Sequence, residues 1–493
     1  MKKQISILLF TLLSFTSCSD WLNVEPKTEV KSSAFFESEQ GFKDALIGVY
    51  LVMTEPALYG KTLTCEYVEV MSRNYDFDPS NTQYDPIVHH IHLKSSAKIE
   101  QIWNRMYFAI ANLNFLIYNL DHNSSAINST SRAIIKGEAL GLRAYLHFDL
   151  LRLFGWGDLE KEPDNLKKLC IPYVTTYEKS ITKQSTVAEC LEAINKDIDA
   201  SIELLNLYDP HGVGEKPQDY NLSDDDNFFS NRHKRFNYWA ALATKSRVLM
   251  WESKFKDAAK VAEKFIDKGD RLFPWIWDAE INNAAQNINY LFASEHIFQL
   301  NVGKLFENLR PFFDPGNDPA QISKMMFFQS KERVTKLFEQ PTFVSDYRYR
   351  VHYDVSQELY SLKKFYVKDD YQYRNIMPLI RKTEFYYIAA EALARVGGED
   401  NLKTAVDYLN TVRNWRGISH TDKLPDDLSA EDILEEVEKE WLREFVCEGQ
   451  MFYYYKRLGV ASVEGYPCVY IVPLPATEVI LGGREDYTKK NKE

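Results

Sequence analysis

The signatures of familiar active-site chemistry are missing from this chain. It has no glycine-rich phosphate loop, no nucleophile elbow, no His-Glu-x-x-His and no paired Cys-x-x-Cys, so no motif points to nucleotide hydrolysis, acyl transfer, zinc proteolysis or thiol redox work. After residue 17 there is no apolar run long enough to cross a bilayer. Basic charge is also short, with 59 Lys and Arg against 71 Asp and Glu and a formal charge of −12. That balance argues against nucleic acid or anionic lipid as a partner. Beyond Cys18 the cysteines (Cys65, Cys170, Cys190, Cys447, Cys468) are odd in number and irregularly spaced. They read as mostly buried thiols and imply neither a disulfide framework nor a metal site. No cofactor is implied.

What the chain does have is helical periodicity. From Ala133 to Gly157 the apolar residues, stepped at ~100° per residue, fall into two separate stripes. Ile135, Ala139, Leu142, Leu146 and Leu150 share one side; Leu140, Ala144, Phe148 and Leu151 share another. Lys136, Arg143 and His147 mark one boundary, and Glu138, Asp149 and Arg152 the other, with Asp149 and Arg152 spaced for an i,i+3 pair. A helix with two apolar flanks has neighbours on both, as in a stack of helical hairpins. Later segments repeat the theme. Glu391-Ala-Leu-Ala echoes Glu138-Ala-Leu-Gly, and Ala243 with Ala258 is spaced like Ala390 with Ala405. The expected fold is therefore mainly α, a tetratricopeptide-like helical-repeat scaffold with long irregular loop insertions.

The first 17 residues read as a removable leader. Lys2 and Lys3 precede an apolar run from Ile5 to Phe15, which ends in Thr16-Ser17-Cys18. Small residues before Cys18 suit a lipoprotein signal, with Cys18 as the lipidated residue. Loss of the two lysines takes the formal charge from −12 to −14. A single body then spans 18–493: N-terminal helical repeats over 18–268, a variable insertion over 269–378, and a C-terminal repeat with a closing segment over 379–493.

Within that body, helices are expected over Glu37–Met53, about Ile99–Leu120, 185–206, the pairs in 236–268 and 379–416, and Glu431–Leu458. The Pro-rich Tyr470–Glu478 reads as extended. Residues 54–98 form a long, irregular loop of the kind that is usually functional or disordered. Its His89-His90-Ile91-His92 has no cysteine near and only Asp85 close by, so it reads as a surface strand or loop before a metal site. Asn221-Leu-Ser-Asp-Asp-Asp-Asn lacks the spaced ligands of a calcium loop and reads as solvated. Glu444 and Glu448 lie one turn apart, but Arg443 and Arg457 nearby favour structural ion pairing over a glycosidase acid pair.

Aromatics make up 14% of the chain. Tyr75, Phe77 and Tyr84 sit among Asn74, Asp76, Asp78, Asn81 and Asp85, the mixture of flat apolar faces and planar hydrogen-bonding groups that sugar binding uses. A polar loop pinned by its own aromatics would look the same. The insertion adds Trp275, Trp277 and Tyr290, with Tyr347, Tyr349, Tyr353 and Tyr360 further on, as candidate exposed rings.

Several blocks in order resemble the SusD/RagB family of outer-membrane lipoproteins from the Bacteroidetes. They are Cys18-Ser-Asp-Trp-Leu-Asn-Val-Glu-Pro, Trp103 with Tyr107, Ile110 and Asn112, and Glu138-Ala-Leu-Gly-Leu-Arg-Ala-Tyr. Further on come Arg381 to Ala394, Leu409 with Val412-Arg413, Arg443-Glu444-Phe445, Glu448-Gly449, and Pro473-Leu-Pro with Glu478. The resemblance implies a lipid-anchored protein on the outer face of the outer membrane, sitting as a lid on a SusC-like TonB-dependent transporter. It implies capture of an oligosaccharide, or of a peptide in the RagB branch, with no bond making. The matching blocks are scaffold and carry over no ligand contacts. A surface glycoside hydrolase and a docking subunit without ligand affinity are the competing classes.

Overall fold

The computed structural model describes residues 35–76, 83–178, 180–224, 226–282, 288–313, 327–355, 359–365 and 372–486. The long helices follow the apolar pattern closely: α1 (Glu39–Met53), α2 (Ser96–His122), α3 (Ser129–Phe154), α4 (Val187–Tyr208), α5 (Tyr238–Trp251) and α6 (Phe255–Lys268). Strands β1 (His296–Asn301) and β2 (Ile376–Arg381) then pair antiparallel. They are followed by α7 (Lys382–Val396), α8 (Glu399–Trp415), α9 (Ala430–Glu444) and α10 (Met451–Leu458). Local chemistry sets the starts. Asn128 accepts from Ser131 N–H, Thr186 and Glu189 form a capping box, Asn237 accepts from the N–H groups of Trp239 and Ala240, and Ser429 accepts from Asp432 N–H. Gly397 and Gly398, at φ 74° and 94°, make the tight turn between α7 and α8.

Helix α3 is the middle layer that its two stripes predict. It packs against α1, α2, α4, α5 and α10, and every residue of both stripes is buried. Its boundary charges are mostly buried too, each with a partner. Arg143 clamps Asp197 of α4 through two 2.7 Å bonds. Glu138 accepts from Arg232 at 2.8 Å and from Tyr50 of α1 at 2.5 Å. Asp149 pairs with Arg152 and takes the Tyr59 hydroxyl at 2.6 Å. Gly141 lets the layers meet, since a Cβ there would lie 2.2 Å from Phe236 Cε1 and 2.6 Å from Ser201 Oγ.

The two alanine-spaced pairs, α5/α6 and α7/α8, stack through α6 against α7. Ala243, Ala258, Ala390 and Ala405 are all buried, and Phe265 lies parallel to Phe385 with centroids 4.2 Å apart. Small residues let helices approach closely and large rings fill the space that remains.

Several expectations are corrected. The described part of 54–98 carries two short helices, Tyr67–Met71 and Asp85–Val88, and buries Tyr59, Leu63, Tyr67, Val68, Met71 and Ile87 in the main core. Cys65 forms a disulfide with Cys447, where mostly buried thiols and no disulfide framework were expected. The helix expected over Glu431–Leu458 is broken between α9 and α10, because Cys447 and Gly449 adopt φ of 63° and 68°. A Cβ at Gly449 would meet Leu63 O at 2.3 Å, so the turn presses directly on the 54–76 segment. The C-terminal segment is extended only to Pro475, after which Ala476–Leu481 is helical.

His90 and His92 are buried as well, against the surface placement expected for them. Met71 O lies 2.8 Å from His90 Nε2, Val469 N–H donates to His90 Nδ1, and Val469 O lies 2.7 Å from His92 Nε2, so the pair holds the chain end against the core. Burial pushes both imidazoles down to about 4, and His147 and His296 down to about 3. Below their ordinary value of 6.5 the unfolded chain takes up protons that the folded chain refuses, so each contribution is full above 6.5 and is lost as pH falls. Glu69, raised by burial from 4.5 to about 7, acts in the opposite sense across much of the same range. Four histidines outweigh one glutamate. Urea midpoints should therefore rise with pH from about 4 to about 6.5; a flat profile would show that these imidazoles protonate without unfolding.

Candidate functional site

Arg416, one residue past α8, is fully buried and organises the surface above it. Its guanidinium donates to Glu295 at 2.8 and 2.6 Å and to Glu444 at 3.0 and 2.6 Å. Glu444 also accepts from Arg348 at 3.0 Å and Arg381 at 2.5 Å. Arg348 in turn holds Asp346 and Glu440, each at 2.7 Å. Burial opposes ionisation of Glu444, but the charges of Arg416 and Arg381 overcome it and hold its carboxyl well below the usual range. The ion pairing expected of Glu444 and Glu448 is present with other partners. Glu448 binds Lys364 and Arg381, whereas Arg443 goes to Glu440 and Glu339, and Arg457 to Glu391.

This network fixes two surface segments. Glu295 Oε1 accepts the Ile276 N–H at 3.0 Å, which seats Trp275 inward and leaves Trp277 outward, 67% exposed. Trp275 lies under Lys382 Nζ, 3.9 Å from its ring centroid. The backbone carbonyl of Arg416 accepts the Tyr347 N–H at 2.8 Å. Tyr347 then donates its hydroxyl to Asp278 Oδ1 at 3.0 Å, and Arg350 donates to Asn282. Hydrogen bonds from Asn282 and Tyr347 lower the Asp278 carboxyl below its ordinary value. Beneath this lattice Ile276, Ile281, Phe292 and Val351 form a small separate core, with Tyr290 and Tyr347 packed on its edge. The outcome is a firmly held surface carrying an indole face, a tyrosine, a carboxylate, an amide and a guanidinium.

Trp277 is thus exposed and Tyr290 half-buried beside the same small core. Of the other described candidates, Tyr347 and Tyr349 are half-buried and the rest are buried. Tyr75 is 5% exposed and stacks on Phe327 at 4.7 Å; Tyr84, 1% exposed, donates to Glu66 at 3.1 Å; Trp275 is 7% exposed. Tyr353 and Tyr360 are buried as well. Burial withholds these rings from a ligand. Phe77 and Cys18 lie outside the described residues. Sequence reasoning missed Arg416, whose partners are distant in the chain, and Asp278, whose role depends on Tyr347. Among the described residues no group of three or more His, Cys, Asp or Glu could hold a metal ion, and no helix is long and apolar enough to cross a membrane.

Comparison with known proteins adds the family context. Residues 195–488 match the model of the SusD family, and residues 20–211 match a model described as starch-binding associating with outer membrane. SusD-like protein P25 of Formosa agariphila is 21% identical over 174 residues, which are 34% of this chain and 33% of that protein. The alignment thus spans about a third of that curated relative's length. A SusD-like carbohydrate binding protein from Bacteroides vulgatus superposes with a TM-score of 0.65 at 20% identity, covering 85% of this chain and 83% of the other. A SusD superfamily protein from Bacteroides thetaiotaomicron gives 0.69 at 16% identity, covering 91% and 97%. At these identities the likeness establishes the fold.

Proposed function

The chain belongs to the SusD family, and from that premise we propose that it captures a glycan on the surface held by Arg416 and delivers it to a SusC-like TonB-dependent transporter. The observation that carries this reading is Trp277, an indole 67% exposed and next in the chain to Asp278, whose carboxylate takes the Tyr347 hydroxyl. Aromatic faces attract the CH faces of pyranose rings, while carboxylates, amides and guanidinium groups take hydroxyls. Each stacked ring contributes on the order of 1 kcal/mol, which gives weak capture suited to release. Glu444 and Glu448 are committed to buried ion pairs, so the proposal contains no hydrolytic step. In this proposal Cys18 carries the lipid that holds the body at the outer face of the outer membrane, each buried CH₂ adding about 0.8 kcal/mol.

The test is an affinity-gel screen of residues 19–493 against plant, microbial and host polysaccharides and a peptide pool, with product analysis. Retardation by a polysaccharide without cleavage is the expected result. Trp277→Ala should weaken that binding roughly 5- to 10-fold, the loss of one stacked ring, with an unchanged melting temperature. Cleavage products would replace the reading with hydrolysis, and retention of peptides alone would redirect it to peptide capture.

A further inference from the structure

Trp415 closes α8 immediately before Arg416 and is 39% exposed. One face of its indole is covered by Trp275, parallel within 6° and 5.8 Å away between centroids. The ring lines a depression of about 360 Å³ together with Asn410, Asn414, Ser419, His420 and Lys423. That volume falls within the range of small-ligand sites. Asn410 is spent on the backbone of Leu424, whereas Asn414 and His420 are exposed. Neither of these two side chains is engaged by a partner among the described residues.

The depression adjoins the Trp277 surface. Trp275, two residues from Trp277, is the ring beneath Trp415, and Tyr347 packs on Gly417, where a Cβ would lie 2.5 Å from Tyr347 Cε1. Arg416 ties the parts together. Its carbonyl holds Tyr347, its guanidinium holds Glu295 and through it Ile276, and its chain neighbour is Trp415. Backing by Trp275, which also carries Lys382 Nζ on its ring, keeps the Trp415 indole from turning as a lone surface tryptophan would.

We infer that Trp415, Asn414 and His420 form a second sugar subsite, so that this surface takes an extended oligosaccharide with one unit on Trp277 and a more distant unit on Trp415. The inference rests on the glycan-capture reading and adds chain length as the selected property. A short sugar occupies the Trp277 subsite alone; a long one spans both.

The test is calorimetric titration of the whole body with malto-, cello-, xylo- and manno-oligosaccharide ladders, from disaccharide to octasaccharide. The wild type should bind the longest members of one ladder at least roughly fivefold tighter than the shortest, the gain from one added stacked ring. Trp415→Ala should abolish that gain, while Trp277→Ala weakens short- and long-chain binding alike. Because Trp415→Ala uncovers Trp275, Asn414→Ala with His420→Ala serves as the second variant and should lose part of the long-chain gain at an unchanged melting temperature. Affinity independent of length, or a length gain that survives both variants, overturns the second subsite while leaving capture at Trp277 standing. Absence of wild-type binding to every ladder, including one prepared from the polysaccharide retained in the gel screen, overturns both readings.

Discussion

Glu444→Gln should lower the free energy of unfolding by about 3–5 kcal/mol, the usual result of removing one partner from a buried ion pair. Glu444 accepts from Arg348, Arg381 and Arg416 and is fully buried with all three. The amide keeps the volume of the carboxylate but removes its charge, so the arginines lose their shared counterion where water cannot replace it. Urea unfolding of the two proteins measures the difference. The effect should reach the surface, because Arg416 then retains only Glu295 among its carboxylate partners and the Ile276 and Tyr347 attachments loosen. Glycan affinity should therefore fall although Glu444 touches no ligand. A loss below about 1 kcal/mol, the value of an exposed pair, would contradict the role assigned to the network.

Removing the Cys65–Cys447 bridge should cost about 2–5 kcal/mol, toward the upper end because the closed loop is long. The linked residues are 382 positions apart, so the bridge ties the segment after α1 to the turn between α9 and α10. That contact is reinforced by Glu69, which accepts the N–H groups of Cys447 at 2.9 Å and Gly449 at 3.0 Å. Native contacts at the turn thus remain when the sulfurs are reduced, and the change acts chiefly by enlarging the unfolded ensemble. Thermal melts with and without reductant, and of the Cys65→Ser/Cys447→Ser double variant, should shift together by several degrees. Equal melting temperatures in all three would show that the bridge does not form.

These two predictions concern the parts least visible in the sequence. The stripes of α3 and the alanine spacing of α5 to α8 were legible, because burial on two sides leaves a helical period in the residues themselves. Residues 54–98 carry no such period. The burial of the described ones depends on Cys447, Gly449 and Val469, hundreds of residues away. Tyr75 and Tyr84 show the same limit at the site, since aromatics among Asn and Asp have one composition whether they face a sugar or pin a loop to Phe327 and Glu66. Trp275 and Trp277 are two residues apart, and nothing local says which is exposed. Lys382 and Trp415 cover the first, and Glu295 fixes the turn that presents the second.

The central claim is that a glycan lies on the surface held by Arg416, and hydrogen exchange with and without the polysaccharide retained in the gel screen tests it most directly. Amides of 276–282, 346–350 and 414–420 should gain protection on binding, while the groove of about 780 Å³ lined by Leu191, Asn195, Lys245 and Val261 stays unchanged. Protection confined to that groove, with none at Trp277 or Tyr347, would contradict the account.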